Sequence, residues 1–215
     1  MKNAIVCSHE RSGTHFLMNS LALNFGYIAR PWVDFDCPWN PYGPDNIIYT
    51  FNQLGNHEFR EIIKCHYPAQ FLMPVLKQKV FFEDYNVFYI FRDGDKVMDS
   101  FAKHLNDIKW FEGPKAANGE TLATMEPGGG MLRYQWIQHL TVWHRWEFHV
   151  NSWRDLPSDI AKDIIYVKFE DLDGSYDDVI RDISARTGLN CGEHPKRPAP
   201  TKDVIMNGSL SLVEL

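Results

Sequence analysis

The sequence predicts an α/β fold, a single domain with a central parallel β-sheet flanked by helices. Short apolar runs of strand type alternate along the chain with segments of helical period, an order typical of parallel sheets that are covered on both faces. The chain has 215 residues, of which 44% are hydrophobic and 14% aromatic, so one domain spanning residues 1–215 can bury a core. In such folds ligands bind beyond the carboxyl ends of the strands.

Apolar runs rich in β-branched and aromatic residues predict the strands. The three strongest runs are Asn3–Ser8, Asn86–Phe91 and Asp163–Phe169, and two weaker ones are Ile47–Phe51 and Glu61–Cys65. Parallel order brings the residues that follow such strands to one edge of the sheet, where a ligand cleft is expected.

Apolar residues that recur one turn apart predict the helices. The predicted segments are Thr14–Phe25, Lys96–Leu105, Tyr134–Val150 and Tyr176–Thr187. Gly26 and Gly188 follow two of them as stop signals, and Asp95 is the predicted cap of another. Two irregular stretches, Asp36–Asp45 and Asp107–Gly130, are either binding loops or plain surface insertions.

Charge and cysteine content narrow the function classes. The 22 basic and 28 acidic residues give a formal net charge of −6, which argues against sequence-independent binding of nucleic acid but leaves room for a local anion pocket. The four cysteines form no CxxC pair and match no zinc spacing, which favours a reducing compartment. Because there is no apolar run of 18 residues and the apolar start is too short for a signal peptide, we predict a cytoplasmic protein without a membrane span.

The turn after the first strand is the first candidate site. Residues 8–16 read SHERSGTHF, and backbone N–H groups at the start of the following helix attract anions. Ser12 and Thr14 supply hydroxyl donors, Gly13 lets the backbone approach a ligand, and Arg11 adds a fixed positive charge. A GxxxxGK[ST] loop would need a lysine where Thr14 lies and an earlier glycine, so an ATPase or kinase is disfavoured. An ordinary strand-to-helix turn with an N-cap is the alternative.

Two further candidates follow later strands. His66 lies at the end of one predicted strand, although any one of nine histidines is more often structural. Arg92 follows another, and Ser100 lies two turns into the next helix, an arrangement that suits a phosphate; a surface ion pair of Arg92 with an acidic neighbour is the alternative. We expect residues 9–14, His66 and Arg92 to converge on one cleft.

Together these segments resemble the PAPS-dependent sulfotransferases, above all the cytosolic kind (PAPS is 3'-phosphoadenosine-5'-phosphosulfate). The family motifs PKSGTTW, KTHLP, YxxRNPxDxxxSxY, WYEHVxxWW and YEDL are similar, in this order, to residues 10–16, 64–68, 89–101, 136–143 and 169–172. The resemblance spans about residues 4–190.

The resemblance implies a P-loop NTPase-like sulfotransferase fold and transfer of a sulfuryl group from PAPS to a hydroxyl or amine of a small-molecule acceptor. The product would be PAP, the desulfated nucleotide, and no metal, nucleic acid or membrane would take part. His66 would act as general base, with Lys64 and Arg11 stabilising the charge that develops. The implied donor-binding residues are Arg11, Ser12, Gly13, Thr14 and His15 for the 5'-phosphosulfate, Arg92 and Ser100 for the 3'-phosphate, and Phe16 and Phe169 near the adenine.

Lys64 would also tune the base. On a strand, residues two apart point to the same face, so the Lys64 ammonium is expected to lower the pKa of the His66 imidazole.

The chain departs from the family pattern at four places. Arg11 replaces a lysine, Glu10 a proline and His15 a threonine, and the C-terminal RKGxxGxW clamp has no clear match. Candidates to replace the clamp are Lys196, Arg197 and Lys202. A P-loop-like nucleotide kinase or NTPase, or a non-catalytic PAP-binding protein of this fold, are the alternative functions. No pattern predicts the acceptor or an oligomeric state.

Overall fold

Five parallel strands form one sheet in the computed structural model, which describes residues 2–34, 60–135 and 137–199, with only the backbone of residues 30–34. The strand order is β2-β3-β1-β4-β5. The strands are β1 (Asn3–Cys7), β2 (Ile28–Asp34), β3 (Glu61–Cys65), β4 (Tyr85–Phe91) and β5 (Ile164–Lys168). The predicted α/β fold with a central parallel sheet is confirmed.

Helices cover both faces of this sheet and none that is described is long and apolar enough to cross a bilayer. They are α1 (Thr14–Phe25), α2 (Ala69–Leu76), α3 (Phe81–Asp84), α4 (Gly94–Asp107), α5 (Gly119–Thr124), α6 (Val142–Arg154), α7 (Ser158–Ala161), α8 (Phe169–Gly174) and α9 (Tyr176–Thr187), with a 3-10 helix at Gly129–Tyr134.

Side chains alternate along the strands and so build a core on each face. On one face Ala4 and Val6 pack with residues of α1 and α9, including Leu17 and Ile180. On the other, Ile5, Cys7 and residues of β3 and β4 pack with α2 and with Trp153 of α6, which is fully buried. Burial of each large apolar side chain contributes about 1.5–3 kcal/mol.

The strand register aligns the carboxyl ends of the three central strands. Cys7 of β1 lies opposite both Cys65 of β3 and Tyr89 of β4, and the Ser8 N–H extends the ladder by donating to the Cys65 carbonyl at 3.1 Å. Because β1 lies between β3 and β4, the residues that follow these strands surround the edge where ligands bind in parallel sheets.

Several boundaries follow the local signals in the sequence. Helices α1 and α9 begin and end where predicted, and Gly26 and Gly188 terminate them in the left-handed conformation, with φ of 68° and 70°. The predicted cap Asp95 is wrong, because α4 begins at Gly94 and Asp93 is the capping position. Gly94 is the first residue of this helix, and a Cβ there would lie 2.7 Å from Trp143 and 2.8 Å from Trp146 of α6, so the close packing of the two helices needs glycine.

The predicted helix Tyr134–Val150 is correct only from Val142 onward. Its first residue ends the 3-10 helix and α6 begins only at Val142. Thr141 fixes this start, because its side chain accepts a hydrogen bond from the His144 N–H at 3.1 Å and its backbone is extended. The aromatic period of the segment therefore arises from two separate elements.

Two other elements were not predicted. The strand β2 lies at the edge of the sheet, and its proline at position 31 is tolerated there because an edge strand leaves one row of N–H groups unpaired. The stretch Asp107–Gly130, predicted as irregular, contains α5, whose cap Asn118 accepts from the Thr121 N–H at 2.9 Å. The predicted strand Ile47–Phe51 and loop Asp36–Asp45 lie outside the described residues.

Candidate active site

A cavity of about 770 Å³ lies at the carboxyl edge of the sheet. Its lining comes from the turn after β1, the end of β3, the segment after β4, helix α4 and the segment that follows α4. The lining residues are Glu10, Arg11, Gly13, Thr14, His15, Phe16, Lys64, His66, Arg92, Ser100, Phe101, Lys103, His104, Asp107, Glu112 and Tyr134. The turn after β1 and the strand ends at His66 and Arg92 thus face one cleft.

The turn before α1 has an unusual backbone. Arg11 is left-handed, with φ 66°, and so is Gly13, with φ 97°. Gly13 caps α1 without any side-chain hydrogen bond to the helix start, which leaves the dipole and N–H groups of the helix available to an anion. A Cβ at Gly13 would lie 2.2 Å from Cδ2 of Phe169, so the turn both needs glycine and packs tightly against α8.

The turn directs Arg11 across the cavity. Its Nε donates to Oγ of Ser100 at 3.3 Å. Arg92 lines the same cavity, and burial together with the neighbouring charge of Arg92 lowers the pKa of Arg11. Two fixed cations beside a helix N-terminus suit a ligand with several negative charges.

Arg92 is held between an aromatic ring and a carboxylate. Its guanidinium carbon lies 4.5 Å from the centroid of the Phe169 ring, and its Nε is 3.9 Å from Oε1 of Glu170. That distance is too long for a hydrogen bond, and Nε is a buried donor without a partner among the described residues. The ion pair of Arg92 is therefore with Glu170 of α8, while Asp93 pairs with Lys168 at 3.2 Å.

The two predicted adenine-contacting rings occupy different places. Phe16 lines the cavity, whereas Phe169 lies behind Gly13 and under Arg92. Their centroids are 6.0 Å apart in an edge-to-face arrangement. Arg197 approaches Phe16 from outside, with its guanidinium 5.5 Å from the ring centroid, and is ion-paired with Asp173.

The other two candidates for the missing clamp are placed differently. The backbone of Lys196 is fixed by Asn24, whose Oδ1 accepts from its N–H at 2.6 Å and whose Nδ2 donates to its carbonyl at 2.9 Å. Lys202 lies outside the described residues.

Backbone contacts define the tautomer of His66. Its Nδ1 lies 2.9 Å from the carbonyl oxygen of Ser8, and because a carbonyl only accepts, Nδ1 carries the proton and Nε2 the lone pair of the neutral ring. Oγ of Ser8 is 2.6 Å from Oγ1 of Thr14, which ties the end of β1 to the start of α1. Lys64 lines the same cavity as His66.

Ser12 and His15 differ in exposure. Ser12 is 1% exposed, and its Oγ has no hydrogen-bond partner among the described residues. His15 is exposed and lines the cavity. The residues of the turn that were predicted to bind the donor are therefore divided, with His15 at the cavity surface and Ser12 buried.

A buried polar network contacts the turn between β1 and α1 on the side away from the cavity. The sequence did not predict this network. Arg145 of α6 donates to Nε2 of His9 and to Oε1 of Glu10, both at 2.7 Å. One turn later on α6, His149 donates from Nε2 to the carbonyl oxygen of His66 at 3.1 Å, and its Nδ1 accepts from the Tyr89 hydroxyl at 3.2 Å. The signal that could have revealed it is polar residues at helical spacing on one face of an aromatic helix.

Burial sets the protonation states in this network. It lowers the pKa of His9 to about 4 and holds the pKa of His149 well below its ordinary value, so both rings are neutral near pH 7. For Glu10, burial opposes ionisation, but the positive charge of Arg145 outweighs it and holds the pKa of the carboxyl well below its usual range. The network therefore contains one close ion pair, Glu10 with Arg145.

The outer wall of the cavity was also not predicted. It consists of charged and polar residues from the second half of α4 and the segment after it: Lys103, His104, Asp107, Glu112 and Tyr134. Burial and the charge of Arg11 lower the pKa of His104. The Tyr134 ring meets the His66 ring edge-on, with centroids 5.4 Å apart. In the part of the chain that the structure describes, no group of His, Cys, Asp and Glu side chains could hold a metal ion.

Comparison with known proteins connects this site to a family. The family described as "Sulfotransferase domain" matches residues 2–196, whereas no curated protein sequence matches the chain significantly. Mouse sulfotransferase SULT7A1 complexed with PAP has a similar structure, with a TM-score of 0.58 and 18% identity over 88% of this chain and 60% of that one.

Retinol dehydratase provides two further similar structures. Its complex with androsterone and the inactive cofactor PAP gives a TM-score of 0.50 at 14% identity, over 88% of this chain and 61% of that one. Its complex with retinol and PAP gives 0.52 at 14% identity, over 91% and 63%. At these identities the likeness concerns the fold, and the chain spans less than two thirds of the length of these proteins.

Proposed function

The chain belongs to the sulfotransferase domain family, and we propose that it transfers a sulfuryl group from PAPS to a hydroxyl or amine of a small-molecule acceptor. The observation that carries the proposal is the arrangement within one cavity of Arg11, Arg92 and Ser100 beside the N-terminus of α1, with His66 on the facing strand end. PAP in the similar structures supports the same donor.

The donor is oriented by charge at its two ends. The turn at residues 11–15 and the N-terminus of α1 bind the 5'-phosphosulfate, because N–H groups and the helix dipole favour an anion there. Arg92 and Ser100 bind the 3'-phosphate, because the guanidinium of Arg92 gives this phosphate charge-assisted donors. Phe16 contacts the adenine, and the guanidinium carbon of Arg197 lies 5.5 Å from the centroid of its ring.

The reaction proceeds by in-line displacement at sulfur. A lone pair of the acceptor oxygen or nitrogen forms the new bond to sulfur while the bond from sulfur to the 5'-phosphate oxygen breaks, and its electron pair remains on PAP. The acceptor proton moves to Nε2 of His66, whose tautomer is set by the Nδ1–H contact to Ser8. Lys64 and Arg11 stabilise the negative charge on the transferring group and the leaving oxygen.

Arginine in place of the loop lysine is compatible with this chemistry. A guanidinium does not give up a proton at neutral pH, so Arg11 acts only through charge and hydrogen bonds. The leaving group is a phosphate, which is stable as an anion and needs no proton. A nucleotide kinase or NTPase is disfavoured because the loop lacks the lysine that reaches the β- and γ-phosphates, and a non-catalytic binder would not need the pair Lys64 and His66.

Replacement of the base tests the proposal. We predict that His66→Ala lowers transfer of labelled sulfate from PAPS, assayed over a panel of phenols, alcohols and amines, by about 10²-fold or more. The Kd for PAP is expected to change little, because His66 faces the acceptor. His144→Ala, at an exposed position of α6, is the matched control. Transfer by His66→Ala at more than about a tenth of the wild-type rate would exclude the base role.

A further inference from the structure

Glu10 places a carboxylate beside the part of the cavity that Arg11 and the start of α1 make suited to an anion. It lines the cavity directly before Arg11, where a negative charge repels a 5'-phosphosulfate unless a cation compensates it. Its Oε1 accepts from Arg145 at 2.7 Å. His9, which also contacts Glu10, adds no charge near pH 7, because burial lowers its pKa to about 4.

We propose that Arg145 is a positioning residue for the donor loop, which it holds by neutralising Glu10 and fixing His9. The role rests on the proposed function, because the loop is that function's donor site. Arg145 is 3% exposed and is not among the cavity-lining residues, so it acts on the ligand only through the turn. Its two terminal nitrogens reach the two residues that precede Arg11.

The backbone of the turn needs such a support. A left-handed conformation is unfavourable for a residue with a Cβ, and Arg11 adopts it with φ 66°. Residues keep such conformations where several surrounding contacts hold the backbone in place. Arg145 holds the turn on one side of Arg11, and the contact of Gly13 with Phe169 holds it on the other. The direction of the Arg11 side chain toward Ser100 depends on both.

The same face of α6 also reaches the end of the neighbouring strand β3. His149, one turn after Arg145, donates to the backbone carbonyl of His66, and the rings of His149 and His9 meet edge-on with centroids 5.5 Å apart. Helix α6 therefore contacts both the donor loop and the strand end that carries the base, which fixes the distance between them.

Two ligands distinguish this role from a general structural one. PAP has phosphates at both the 5' and 3' positions, whereas adenosine 3'-monophosphate lacks the 5'-phosphate that faces the loop. We expect Arg145→Gln to raise the Kd for PAP by about tenfold to a hundredfold, since small misplacements of binding groups have effects of this size. The Kd for adenosine 3'-monophosphate is expected to rise by less than the Kd for PAP, because Arg145 contacts only the turn and reaches the 3' site only through the contact of Arg11 with Ser100.

A compensating variant tests the charge argument. Removal of both charges in Glu10→Gln/Arg145→Gln is expected to recover most of the lost PAP affinity, because no uncompensated buried carboxylate remains. Arg154→Gln is the matched control, since it removes a cation from the exposed end of the same helix.

The outcomes separate this role from the proposed function. No binding of PAP by the wild-type chain would overturn the proposed function and this role with it. If the wild type binds PAP, three results would overturn the role of Arg145 alone: unchanged PAP affinity in Arg145→Gln, an equal loss for both ligands, or a double variant no better than the single one. Selective loss of PAP affinity with recovery in the double variant supports it.

Discussion

Gly13 lies in the proposed donor site, and both its backbone conformation and its packing against Phe169 require a residue without a side chain. Its φ of 97° is rarely adopted by residues with a side chain, and a Cβ would lie 2.2, 2.8 and 3.3 Å from three ring carbons of Phe169. The left-handed backbone contributes roughly 1–2 kcal/mol of destabilisation, and overpacking adds about 1–3 kcal/mol. We therefore predict that Gly13→Ala lowers the free energy of unfolding by about 2–5 kcal/mol.

Gly26 provides the control that separates the two contributions. It is also left-handed, with φ 68°, but nothing lies within 4 Å of its Cβ position. Gly26→Ala should therefore show only the backbone contribution, roughly 1–2 kcal/mol. Urea titration followed by tryptophan fluorescence measures both values.

Phe169 supplies the second test of the same reasoning. In the double variant Gly13→Ala/Phe169→Ala the clash is absent, so the destabilisation should be smaller than the sum of the two single values by about 1–3 kcal/mol. Equal destabilisation by Gly13→Ala and Gly26→Ala, together with strict additivity in the double variant, would refute the packing of the turn against α8.

Two other predictions concern ligand charge and pH. Arg92→Ala should weaken PAP binding by about 1.5–3 kcal/mol while leaving ATP, which has no 3'-phosphate, nearly unaffected in calorimetry; equal losses would show that Arg92 does not read the 3' position. Burial in the folded chain lowers the pKa of His9 from 6.5 to about 4. Between these two values the unfolded chain binds a proton at His9 and the folded chain does not, so the free energy of unfolding should fall as pH falls from 6.5 to about 4.5. This histidine contributes about 2–3 kcal/mol over that range, and His9→Gln should flatten the profile measured by urea titration at a series of pH values; an unchanged slope would contradict the buried neutral state.

The sequence predicted those parts of the fold that depend on local signals. The strand–turn–helix unit at residues 3–25 follows from an apolar run, a glycine-containing turn and an amphipathic segment closed by Gly26. The register of β1 against β3 and β4 then brings Lys64, His66 and Arg92 to the edge where parallel sheets bind ligands. The location of these three residues in the cavity could therefore be predicted from their position at or just after the end of a strand.

Features that depend on distant contacts were not predicted. Arg145 and His9 are 136 residues apart, and no local pattern indicates which strand-end turn a helical arginine will reach. The start of α6 depends on the Thr141 cap rather than on the aromatic period. Glu10 puts a carboxylate next to the anion site that the sequence predicts, and only the structure shows that Arg145, 2.7 Å away, compensates its charge.

Calorimetric titration of the wild-type chain with PAP and with ATP tests the donor site most directly. We predict that a single PAP binds per chain and that ATP binds at least about tenfold more weakly, because only PAP offers the 3'-phosphate that Arg92 and Ser100 face. Absence of a binding heat for PAP at several temperatures, or equal or tighter binding of ATP, would contradict it.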